Sequence, residues 1–122
     1  MSSKILLVDD SALARRGVRQ MLEGAGYEVV EAEDGLIALE RYFLEKPDLV
    51  LLDLVMNGLM GLEVLQKLHE MDPGVRAIVV SADIQDSSRE LAEAGGARDF
   101  LTKPVDRASL LEAVSRALEA SA

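Results

Sequence analysis

A chain of 122 residues can bury a continuous apolar core and falls in the common size range of one domain, so a single domain over residues 1–122 is expected. The hydrophobic fraction of 49% with only 3% aromatics argues against disorder and asks for a core of Leu, Val, Ile and Ala, while a net charge of −9 without a Lys/Arg stripe argues against direct nucleic-acid binding. The lack of cysteine removes disulfides and thiolate metal sites, and no apolar run approaches the ~20 residues of a membrane span, so a cytoplasmic chain without membrane association is expected.

Short apolar runs alternate with helical periodicity along the chain, the pattern of βαβ units. Ile5-Leu6-Leu7-Val8 reads as a buried strand ending at Asp9-Asp10. The next segment, Ser11 to about Ala25, places Ala14, Val18, Met21, Leu22 and Ala25 on one helical face and stops at Gly24 and Gly26. A second strand at Glu28–Ala32 precedes Asp34-Gly35 and a helix from about Leu36 to Lys46, with Leu36, Leu39 and Phe43 expected to face inward. Pro47 closes that helix, and Leu49-Val50-Leu51-Leu52 forms a third strand ending at Asp53.

After a loop holding Gly58 and Gly61, a helix is predicted from about Leu62 to Glu70, followed by the turn Asp72-Pro73-Gly74. Ala77-Ile78-Val79-Val80 gives a fourth strand ending at Ser81, and a weaker helix spans about Ser87 to Ala94. Phe100-Leu101 is a short fifth strand running into Lys103-Pro104, and the last helix, about Ala108 to Ala120, turns Leu110, Leu111, Val114 and Leu118 inward. Three strands are nearly all apolar, which calls for a sheet covered on both faces, and right-handed crossovers then give a three-layer, doubly wound α/β fold with a five-stranded parallel sheet.

Ligands of such sheets bind beyond the carboxyl ends of the strands. Those ends carry Asp9-Asp10, Asp53, Ser81 and Lys103. If the first and third strands are neighbours, three carboxylates meet in one crevice and repel one another unless a cation sits among them. An oxygen-only, half-open site suits Mg²⁺. Lys103 and Ser81 can hold phosphoryl oxygens, and Asp53, alone at the central strand, is the candidate nucleophile for phosphoryl transfer to a carboxylate.

The motifs Leu6-Leu7-Val8-Asp9-Asp10-Ser11, Asp53 with Met56, Gly58 and Gly61, Val80-Ser81-Ala82 and Gly96-Ala97-Arg98-Asp99-Phe100-Leu101-Thr102-Lys103-Pro104 resemble, in this order and spacing, the response-regulator receiver domains, CheY-like phosphoacceptor domains of two-component systems. The resemblance covers the whole chain. It implies the flavodoxin-like (βα)5 strand order 2-1-3-4-5, an order already known for chemotaxis receivers and taken here from the family. It implies Asp53 as phosphoacceptor, Mg²⁺ held by Asp9, Asp10, Asp53 and the backbone carbonyl of Val55, and Lys103 as the phosphate-contacting lysine, with a cis bond from Lys103 to Pro104. Ser81 and Phe100 match the switch hydroxyl and switch aromatic. A sensor histidine kinase or histidine phosphotransfer protein would be the donor. A downstream target or output domain would read the surface of the fourth helix, fifth strand and fifth helix, with homodimerisation on activation left open.

Such a protein is a switch rather than an enzyme, catalysing at most its own phosphorylation and dephosphorylation. An interaction module that keeps the fold without taking phosphate is the alternative. It is favoured by two departures from the family pattern: Asn57 where proline is usual, and Met60 where aspartate would cap the next helix, a contact worth ~1 kcal/mol. An aspartyl-phosphate phosphatase would want an acid where Val55 stands, and a flavin phosphate would be repelled by Asp9-Asp10. Of the remaining polar residues, His69 and the basic face Arg15, Arg16 and Arg19 read as solvated, with a kinase-guiding role for the arginines as the alternative.

Overall fold

The computed structural model describes residues 3–54, 60–82 and 86–119. Strands and helices alternate as β1 (Lys4–Val8), α1 (Ala12–Gly24), β2 (Glu28–Ala32), α2 (Gly35–Glu45), β3 (Leu49–Asp53), α3 (Gly61–Met71), β4 (Ala77–Ser81), α4 (Asp86–Ala94), β5 (Asp99–Thr102) and α5 (Arg107–Glu119). All strand pairings are parallel and the order is β2-β1-β3-β4-β5, so the doubly wound sheet expected from the sequence is the sheet observed.

Alternation of side chains along each strand divides the core in two. Leu6, Val8, Val50, Leu52 and Val79 join Ala38 and Tyr42 of α2 and Val64, Leu65 and Leu68 of α3 on one face. Ile5, Leu7, Leu49, Leu51, Ile78 and Val80 join Leu22 of α1 and Leu110 and Val114 of α5 on the other. Both faces being covered, β1, β3 and β4 carry apolar residues at odd and even positions alike.

Helix boundaries follow local chemistry. The Ser11 hydroxyl accepts from the Ala14 N–H at 3.1 Å and starts α1, and the Asp34 carboxylate accepts from the Ile37 N–H at 2.9 Å and starts α2. Gly26, at φ +92°, supplies the left-handed turn after α1. Lys46 takes up φ 48° ahead of Pro47, where the ring disfavours a further helical residue.

The phase of α2 differs from the expectation at Leu36 and Phe43, while Leu39 packs against the core as expected. Leu36 and Phe43 are 71% and 70% exposed, and the buried side chains are Ala38 and Tyr42. Ala38 permits close approach to the sheet, and Tyr42 buries its ring while its hydroxyl donates to Asp72 Oδ2 at 2.6 Å. Among the described residues no helix is long and apolar enough to cross a membrane.

Candidate functional site

Register brings the acidic residues together. Val8 pairs with Leu52, so the residues that follow them, Asp9 and Asp53, leave neighbouring strand tips side by side. Asp53 itself pairs with Val80, placing Ser81 at the next tip, and Ser81 pairs with Thr102, one residue before Lys103. One carboxylate oxygen from each of Asp9, Asp10 and Asp53 lies within 4.8 Å of the other two. Asp9 and Asp53 are buried, at 5% and 7% exposure, whereas Asp10 is exposed.

Lys103 reaches into this cluster from the loop after β5. Its ammonium donates to Asp9 Oδ2 at 2.8 Å and to Asp53 Oδ2 at 3.3 Å. Partial burial works to lower the lysine's pKa, but the hydrogen bond to Asp9 and the negative fields of Asp53 and Asp9 outweigh it, and the net shift is upward. One ammonium offsets part of the charge of three carboxylates. The remainder, carried by hard oxygen donors at a partly open tip, fits a divalent cation such as Mg²⁺.

The loop between β1 and α1 is held from two sides. Asp9 Oδ1 accepts from the Ser11 N–H at 2.9 Å, and the Arg15 guanidinium donates to the Asp9 carbonyl oxygen at 2.5 Å while its Nε donates to Glu31 at 2.9 Å. Arg19 also pairs with Glu31. Arg15 and Arg19 are therefore tied to β2 rather than solvated, which corrects the sequence reading and leaves Arg16 as the exposed member of the three. Burial pushes the Glu31 carboxyl up, and the two guanidinium groups more than reverse this, so that it titrates below its ordinary range.

Ser81 is 1% exposed, and its carbonyl accepts from the Lys103 N–H at 2.9 Å. The Lys103–Pro104 peptide is cis. Phe100 is 6% exposed, and the Arg89 guanidinium of α4 stands over its ring, 5.1 Å from the centroid. Arg89 escaped the sequence reading because no local pattern links α4 to β5; only their packing does. Gly61 is equally specific: a Cβ there would lie 2.4 Å from the Asp53 carbonyl oxygen and 2.7 Å from Leu54 Cα. Met60 makes no side-chain cap to α3, as the lost aspartate implied.

Val55, the expected carbonyl ligand, lies outside the described residues, as do Met56, Asn57 and Gly58. His69 does not take part in the site. It is half-buried rather than solvated, with Nδ1 donating to the Leu65 carbonyl at 3.1 Å and its ring against Gly96, where a Cβ would come within 2.5 Å of Nε2.

Three kinds of similarity accompany this geometry. The family model described as "Response regulator receiver domain" matches residues 5–115. The chain is 39% identical over 119 residues to the chemotaxis protein CheY of Bacillus subtilis, spanning 97% of this chain and 99% of that one. It superimposes with a TM-score of 0.92 on a CheY-like receiver domain protein from Methanospirillum hungatei, at 30% identity over 98% of this chain and 95% of the other. With a chain of the CheX–CheY–BeF3–Mg complex from Borrelia burgdorferi the TM-score is 0.90, at 30% identity over 93% and 87% of the two chains.

Proposed function

Because the chain belongs to the response regulator receiver domain family, we propose that it is a two-component signalling switch in which Asp53 accepts a phosphoryl group with Mg²⁺ held by Asp9, Asp10, Asp53 and the Val55 carbonyl. The observation that carries this reading is the convergence of three aspartate oxygens within 4.8 Å, with the Lys103 ammonium against two of them. When bound, the divalent ion would offset the charge of the carboxylates and of an incoming phosphoryl group.

The donor in this reading is a phosphohistidine on a sensor kinase or phosphotransfer protein. An Asp53 oxygen attacks phosphorus, the P–N bond to the imidazole breaks, and the imidazole leaves as the neutral base once it is protonated. Lys103 exchanges its bond to Asp53 for a phosphoryl oxygen while keeping Asp9, so the lysine moves little. Ser81, at the adjacent tip, donates to a second phosphoryl oxygen. That pull on Ser81 would be felt by Phe100 and by the surface of α4, β5 and α5, where a target or output domain would bind. Only a difference in phosphoryl affinity between two conformations can shift their populations. The whole of residues 1–122 would act as one such receiver in the cytoplasm, without turnover of an external substrate. Homodimerisation on activation would be a further output of the same switch.

Incubation with acetyl phosphate and Mg²⁺ followed by intact-mass measurement tests the reading. The wild type is expected to gain the mass of one phosphoryl group and Asp53→Asn none. The uncapped N-terminus of α3 at Met60 favours the second reading, a receiver fold used only for protein interaction, and an unmodified wild type would select it.

A further inference from the structure

Beneath the acidic tips, a cavity of about 470 Å³ opens between α1, α5 and the sheet. Its walls are apolar, formed by Leu7 and Leu51 of the sheet, Val18 and Met21 of α1 and Leu110 of α5. Leu13, 81% exposed, lies in the first turn of α1 and also lines it. Gly17 lies in the middle of α1 on the same wall. Glycine weakens a helix interior, and here a Cβ would meet nothing within 4 Å, so packing does not require it. What the glycine does is leave the space open.

The charged residues among those lining the cavity are Asp9, Asp53 and Lys103, two negative and one positive, with the Asp10 carboxylate beside them. An apolar chamber ending in net negative charge is complementary to a small molecule with an apolar tail and a cationic head. We propose that the α1–α5 cavity binds a single-tailed organic cation, its ammonium group on the aspartate oxygens and its tail along Gly17, Val18 and Met21. The ammonium and a divalent metal would use the same oxygens, so the ligand and the metal exclude each other. The proposal rests on the metal reading of the same aspartates and not on phosphoacceptance, and a titration with Mg²⁺ alone, without alkylammonium, separates failure of the metal reading from failure of the proposal.

Propyl-, butyl- and hexylammonium are titrated into chelator-treated protein, and amide shifts are followed by two-dimensional NMR. Affinity is expected to tighten about fourfold per methylene until the cavity is filled, from the transfer of each methylene out of water, with the largest shifts at Gly17 and its neighbours. Excess Mg²⁺ is expected to weaken the binding. Affinities independent of chain length, which would make the tips a plain cation site, or binding indifferent to Mg²⁺, would overturn the proposal. Gly17→Leu fills the cavity and is expected to bring the ratio of hexyl to propyl affinity close to one; a folded variant that keeps the wild-type ratio contradicts the assignment. Ala14→Leu narrows the same space from the preceding turn of α1 and gives the same comparison if Gly17→Leu does not fold.

Discussion

Lys103 sits where a metal and a phosphoryl group would both make demands on it. Its ammonium neutralises Asp9 and Asp53 at 2.8 and 3.3 Å, and in doing so competes with any cation for the same oxygens. Lys103→Gln is therefore expected to bind Mg²⁺ several-fold more tightly, read by calorimetry, while taking up phosphoryl groups more slowly because one positive contact to the phosphoryl oxygens is lost. A lysine whose folded pKa is raised contributes stability that is complete below its unfolded value and is lost as pH rises through the folded one. That contribution is thus constant through neutral pH and falls away only above about pH 10. The strand-tip residues were legible in the sequence because each interrupts or follows a run of apolar residues with a charge or hydroxyl. Arg15, Arg19 and His69 were not. Arg15 and Arg19 pair with Glu31 of β2 and the His69 ring lies against the Gly96 turn, both outside their own helices, and one-dimensional patterns record only neighbours along a single helix or strand.

Two elements, α2 and α3, depend on contacts of this longer kind. The Tyr42 hydroxyl of α2 donates to Asp72, the residue that ends α3, and Asp72 Oδ1 in turn accepts from the Gly74 N–H at 2.9 Å. The bond from Tyr42, followed by that from Gly74, holds the Asp72 carboxyl below its ordinary range; burial and the carboxylate hold the Tyr42 phenol above its own. An acid with a depressed folded pKa stabilises the fold above its unfolded value, and the effect is lost as pH falls through the folded value. Tyr42→Phe is expected to move the Asp72 pKa upward in an NMR titration and to cost about 1 kcal/mol at neutral pH, with less cost once Asp72 is protonated in both states. The same tyrosine explains why the phase of α2 was misread. Leu36 and Phe43 are the more apolar-looking pair, but the helix turns toward the sheet the small Ala38 and a ring whose hydroxyl has a fixed partner. In α3, Gly61 lets the chain pass against the Asp53 and Leu54 backbone. Gly61→Ala is expected to cost about 1–3 kcal/mol in denaturant unfolding, since backbone cannot yield as a side chain can, and to weaken Mg²⁺ binding by displacing Asp53.

At the scale of the whole molecule, the sheet converts sequence order into proximity. Asp9 and Lys103 are 94 residues apart in sequence and 2.8 Å apart in space, because β1 and β3 are neighbours, β4 and β5 follow, and all strands run the same way. The alternation of runs made the parallel layers legible, but strand order is a property of the crossovers and entered only through resemblance to a family. Loading the tips with a metal and a phosphoryl mimic is expected to engage Asp9, Asp53, Ser81 and Lys103 together, since no one of them reaches the site without the shared register. Fluorine NMR with beryllium fluoride measures this directly. Bound fluoride resonances are expected on the wild type only when Mg²⁺ is present, and none on Asp53→Asn. A wild type without bound resonances in Mg²⁺, or resonances that survive Asp53→Asn, would contradict that expectation.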